Sequence, residues 1–236
     1  MAIRNRFLAF FYRLILLGIG GYATYLLFSF RSLSPEWWRG FYYYDCQTLL
    51  FATAIVFAEV VANAIGLNKK TNGIVPGVWS PLFIASLSFT LFDLAGYAIL
   101  SSSTNSGFFA ATDIKVMLLS KIIFPALLLG DYLLFGEKGT VKWKHPIFWS
   151  LYPLFYFAFS LLVKAVWQQG FSAVSFFTPS TFQTGADALT GNGGWNGVVL
   201  SSLLAYLCYF ALAYLLVFLN NVFAGAYRKR TPSDVI

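Results

Sequence analysis

The chain has 236 residues, 58% of them hydrophobic and only 11% charged, with a formal net charge of +7. That is too little polar surface to coat a soluble globule of this size, which points to an integral membrane protein. The basic surplus is no argument for nucleic acid, because Lys and Arg sit in short segments between apolar runs instead of gathering on one face.

Apolar runs long enough to cross ~30 Å of hydrocarbon recur along the chain. The spans are predicted near 7–30, 43–66, 80–101, 113–136, 146–167 and 196–223. This gives an all-α, six-helix integral membrane bundle formed by a single transmembrane domain over 1–236. The N-terminus carries Arg4, Arg6 and Arg13 before an apolar stretch and resembles a secretory leader. It is read as a retained helix, because it is long enough to span and no small-residue cleavage site follows it.

Lys and Arg near the span ends are sharply asymmetric. Arg4, Arg6, Arg13, Lys69, Lys70, Lys138, Lys142, Lys144, Arg228, Lys229 and Arg230 fall on one side, and only Arg31 and Arg39 on the other. Basic residues are retained on the cytoplasmic side, so both termini are expected there, in the cell membrane. The opposite loops are aromatic, and Trp37, Trp38, Tyr42 to Tyr44, Trp167 and Trp195 are expected to anchor at the headgroups. The long connection 168–194 fits either a re-entrant lid or a strand of chain lying on the membrane surface.

Five ionisable residues fall at bilayer depth, where each costs at least ~2.5–3.5 kcal/mol on insertion scales and so must be paired, inward-facing or functional. They are Asp45, Glu59, Asp93, Lys121 and Asp131. On the second span Asp45, Thr48, Ala52, Ile55 and Glu59 fall within about an 80° arc and should face the bundle interior. Asp93 and Lys121 each lie about eight residues, or ~12 Å, inside the outer ends of their spans. Lys121 is therefore expected opposite Asp93, with Asp45 as a further partner. Pro125 cannot donate to the carbonyl of Lys121 four residues earlier, so a kink is expected at that point. Glu59 and Asp131, nearer the cytoplasmic ends, are expected to reach the interface or to contact neighbouring polar groups. Lys115 and Lys164 are expected to extend outward to the headgroups.

His145 lies in the basic segment Lys142-Trp143-Lys144-His145 and suits a surface role. Cys46 and Cys208 form neither a disulfide framework nor a metal signature. No phosphate loop, zinc spacing, nucleophile elbow or dinucleotide fingerprint is present, so no cofactor and no metal is expected.

Three segments carry a family likeness: Lys121-Ile-Ile-Phe-Pro125 followed by Gly130-Asp131-Tyr-Leu-Leu-Phe135; Trp149-Ser-Leu-Tyr152-Pro153-Leu-Phe-Tyr156; and Tyr43-Tyr44-Asp45-Cys46-Gln47-Thr48-Leu49-Leu50. Together they resemble the bacterial six-helix relatives of the androgen-induced membrane proteins. Animal members of that family hydrolyse fatty-acid esters of hydroxy fatty acids. The resemblance implies a catalytic site at a threonine of the second-span motif and a histidine four residues before the fourth-span proline. Asp45 and Lys121 stand at those positions here, and neither is an equivalent catalytic group.

On this reading Asp45, Thr48, Asp93 and Lys121 form a polar pocket in the outer half of the bundle for a lipid-like molecule. Either Thr48 is a nucleophile activated by Lys121 for lipid-ester hydrolysis, or Lys121 stays charged and binds an anionic headgroup or fatty carboxylate. Partners would be membrane lipids and a lipid-like substrate, with no nucleic acid. Two alternatives stay open: a small transporter using an intramembrane Asp/Lys relay, and a structural subunit in which the ion pair sets helix register.

Overall fold

The computed structural model describes residues 5–32, 37–67, 80–103, 114–166 and 194–228, and those residues form an all-helical protein without strands. The helices are α1 (Arg6–Ser32), α2 (Tyr44–Ile65), α3 (Ser80–Ser103), α4 (Ile114–Met117), α5 (Phe124–Phe135), α6 (His145–Trp149), α7 (Leu151–Val166) and α8 (Gly194–Arg228). A π-helical turn, Leu118–Ile123, joins α4 to α5, and a 3-10 helix, Trp37–Tyr42, precedes α2.

Four stretches are long and apolar enough to cross a membrane: Arg6–Phe30, Tyr44–Ile65, Ile114–Phe135 and Leu203–Ala224; Ser80–Gly96 is a shorter apolar helix. Their outer faces carry large bare apolar side chains, among them Phe7, Tyr25, Phe57, Ile65 and Phe218, with Ile65 72% exposed. Contiguous apolar surface of this kind suits lipid and not water.

Local chemistry sets the helix ends. The Asn5 side chain caps α1 by accepting from the N–H groups of Phe7 (3.1 Å) and Leu8 (3.2 Å). Between α5 and α6, Gly139 adopts φ 81°, a left-handed conformation that a Cβ would strain. His145 holds the end of that connection by accepting from the Lys142 N–H at 3.0 Å, which places it in a surface turn.

Proline accounts for two departures from continuous helix. Just before Pro125 the ladder slips to five-residue spacing, with Phe124 N–H bonded to the Leu119 carbonyl. The kink expected there takes the form of a widened turn, which leaves room for the ring. Pro153 has no N–H to offer Trp149 four residues earlier, and the predicted span 146–167 is correspondingly divided at Ser150 into α6 and α7.

α1 packs on α2 along a seam of Ala9, Arg13, Leu16, Gly20, Ala23 and Leu27, spaced alternately by four and three residues. Gly20 lets the helices close up, since a Cβ there would stand 2.5 Å from Cε2 of Phe124 and 3.0 Å from Thr53 Oγ1. Nearby, Thr24 and Thr53 hydroxyls meet at 3.3 Å. The two helices run antiparallel: the start of α1 lies beside the end of α2, at what is called here the lower end of the bundle, and Asp45 marks the upper end.

Candidate functional site

Asp45, Thr48, Ala52, Ile55 and Glu59 are all buried, so the small-to-polar stripe of α2 does face the interior. The stripe carries an ionic cluster near each end. Asp45 and Glu59 are fourteen residues apart, or about 21 Å along the helix axis.

At the upper end Lys121, on the π-helical turn, donates to Asp45 Oδ2 on α2 at 3.2 Å and also to Asp93 on α3. Lys121 is 4%, Asp45 5% and Asp93 8% exposed, so the charges are withdrawn from solvent and lipid alike. Asp45 is further fixed by its backbone: in the first turn of α2, its Oδ1 accepts from the Cys46 N–H at 2.9 Å. Its two oxygens thus have separate partners. Thr48 is buried one turn along, with its hydroxyl donating back to the Asp45 carbonyl at 3.2 Å. The sequence-predicted residues are therefore brought together, but the Thr48 proton is directed to the backbone and the Lys121 ammonium to carboxylates.

Aromatic side chains wall this cluster. Tyr44 packs on Tyr156 (5.1 Å between ring centroids), Tyr152 (5.6 Å) and Phe92 (6.1 Å). Phe89 joins Tyr152 at 4.7 Å to Tyr209 at 5.7 Å. Such pairs contribute about 0.5–1.5 kcal/mol each beyond their buried area. Two of the hydroxyls hold the start of α2 in place: Tyr152 donates to Gln47 Oε1 and Tyr156 to the Tyr42 carbonyl, both at 2.9 Å. Tyr44, expected as a headgroup anchor, is instead a core residue at 2% exposure. Its ring is needed between α2, α3 and α7, where a lipid-facing position would leave the wall open.

At the lower end Glu59 and Asp131 contact a polar neighbour, one of the two outcomes expected for them, but that neighbour is not one the sequence pointed to. Arg13, counted from the sequence among the orienting surface charges, is 1% exposed and occupies a seam position of α1. Its Nε lies 2.9 Å from Asp131 Oδ1 and 3.1 Å from Glu59 Oε2. Glu59 and Asp131 accordingly meet an arginine inside the bundle. The signal was the heptad spacing of α1, which puts Arg13 between Ala9 and Leu16 on the packed face. Around this cluster Tyr12 donates to the Leu127 carbonyl at 2.8 Å, and Tyr132 to Asn220 Oδ1 at 2.9 Å. Lys138, in the connection after α5, donates to the Tyr132 carbonyl and sits over its ring. Burial lowers the Lys138 ammonium to about 8, with the charge of Asp131 opposing the shift.

Lys115 is exposed, while Lys164, Trp167 and the connection 168–193 fall outside the described side chains. Cys46 is buried and Cys208 exposed, and the two are not joined to each other. Among the described residues no group of three His, Cys, Asp or Glu side chains is placed to hold a metal ion. Compared with protein-family models, with curated proteins and with solved structures, the chain gives no significant match.

Proposed function

We propose that this is a small membrane carrier in which Asp45, Asp93 and Lys121 form an intramembrane relay for a coupling proton. One observation supports it above the others: a single buried ammonium is held between carboxylates on two different helices, α2 and α3. A proton arriving on either carboxylate hands Lys121 to the other, so protonation changes which helix the fourth span is tied to. Asp93 is the partner that lets go, because Asp45 is also held by the Cys46 N–H. The π-helical turn carrying Lys121 is a feature frequent at functional sites. In this reading six segments cross the cell membrane, with both termini cytoplasmic and the triad in the outer half.

The test is proton movement into liposomes holding the purified protein, read by a trapped pH-sensitive dye under an imposed membrane potential. Flux above that of empty liposomes, lost in Asp93→Asn, is expected. Flux equal to empty liposomes under every imposed gradient contradicts the proposal.

A second reading, a lipid-ester hydrolase of the androgen-induced type, is favoured by the convergence of three resemblance segments on one place. Asp45 and Lys121 are in contact, and Tyr152 and Tyr156 pack on Tyr44 beside them. It requires Thr48 to turn from the Asp45 carbonyl and Lys121 to give up a proton while facing two carboxylates. Lipid-ester cleavage that disappears in both Thr48→Ala and Lys121→Met would favour it; cleavage at equal rates in both would remove it.

A further inference from the structure

The lower cluster is a second chemical site, and its geometry asks for a hydrogen that its side chains do not supply. Arg13 Nε donates to both oxygens of Asp131, at 2.9 and 3.2 Å. The nearest Glu59 oxygen, 3.1 Å away, receives no hydrogen from it. Glu59 Oε2 and Asp131 Oδ1 lie 3.1 and 2.9 Å from the same Arg13 Nε, so the two carboxylates stand side by side. Both of its oxygens are buried without a donor, in a residue only 3% exposed. Two ionised carboxylates can only accept, so their contact is a hydrogen bond only when one of them carries a proton.

The surroundings do not remove the need. From α1, Tyr12 is committed to the Leu127 carbonyl and Arg6 donates to the Ala62 carbonyl. From the connection after α5, Lys138 is turned to the Tyr132 carbonyl and ring. On α2, Asn63 lies one turn from Glu59 with its own amide nitrogen unpartnered. Arg13 Nη2 is also buried without an acceptor, so the guanidinium is not turned to satisfy Glu59.

We propose that Glu59 and Asp131 share one bound proton and, with Arg13, form a buried proton-binding site in the lower half of the bundle. Binding takes a proton from water and makes one O–H bond on one carboxylate. That hydrogen is then donated to the other carboxylate, which keeps its charge opposite Arg13. The triad becomes neutral, as burial among apolar helices favours. The proposal stands whether or not the upper triad carries flux.

Infrared spectroscopy of the full-length protein in lipid bilayers tests it. The expected result is a protonated-carboxyl C=O stretch that persists at neutral pH, shifts in D2O, and is lost in Glu59→Gln and in Asp131→Asn. Carboxyl-labelled wild-type protein gives a second readout, since the chain's glutamates are Glu36, Glu59 and Glu137 and Glu59 lies within α2. The band must move with the 13C-glutamate label; a band that moves only with the 13C-aspartate label, which Asp45 or Asp93 could supply, overturns the proposal. If the variants fail to fold, the wild-type band and its label shift decide the matter. Absence of the band at neutral pH, or a band unchanged in both folded variants, overturns the proposal.

Discussion

The two ends of α2 solve the same problem with different cations. Each places one base between two carboxylates from different helices, in a bundle with few other charges. At the upper end the base is a lysine on a widened helical turn, a point charge on a flexible stem; at the lower end it is an arginine locked into the α1 seam, whose planar donors fix direction. A lysine between two aspartates can be exchanged from one to the other. An arginine in a helix seam mainly sets register and holds its carboxylates still. The two proposals follow this contrast, with movement at the upper cluster and anchorage around a shared proton at the lower.

The largest effect should come from breaking the anchor. Arg13→Leu leaves Glu59 and Asp131 buried without a counter-charge, a loss of about 3–5 kcal/mol. It should appear as a steep fall in thermal midpoint in detergent, partly restored by Arg13→Lys. Lys121→Met should cost less, about 3 kcal/mol, because Asp45 keeps its backbone donor. Combining it with Asp93→Leu should recover part of that loss, and a double-mutant cycle in which the two changes simply add would contradict the coupling. Tyr156→Phe removes the hydroxyl that donates to the Tyr42 carbonyl and should cost about 1 kcal/mol.

The last effect is one of pH, at the lower end. The folded-state value of Lys138 is about 8, below its ordinary 10.5, so between those limits the unfolded chain binds more protons than the folded one. Stability should therefore rise as pH increases from 8 towards 10.5, with the cost of burying the charge fully present below 8. Lys138→Met should flatten that rise, and an unchanged slope would contradict the assignment.

Much of this was legible in the residues because burial in lipid is unforgiving. The stripe from Asp45 to Glu59 had to face inward, and equal depth brought Asp93 to Lys121. The form of the break at Pro125 was not legible, since a widened turn and a sharp kink relieve the same clash. Arg13 was misplaced because counting charges near span ends ignores which face of the helix they occupy; the spacing of Ala9, Leu16 and Ala23 held the correction. Tyr44 was misassigned similarly, since an aromatic run before a span looks interfacial until its partners on α3 and α7 are known.

The most direct measurement is proton flux and thermal midpoint on the same preparations of wild type, Asp93→Asn and Tyr156→Phe in liposomes. A relay predicts that Asp93→Asn stays folded, with Lys121 still on Asp45, and carries no flux, while Tyr156→Phe loses stability and keeps its flux. Wild type and Asp93→Asn with the same flux would contradict the relay and leave the upper triad as a register device.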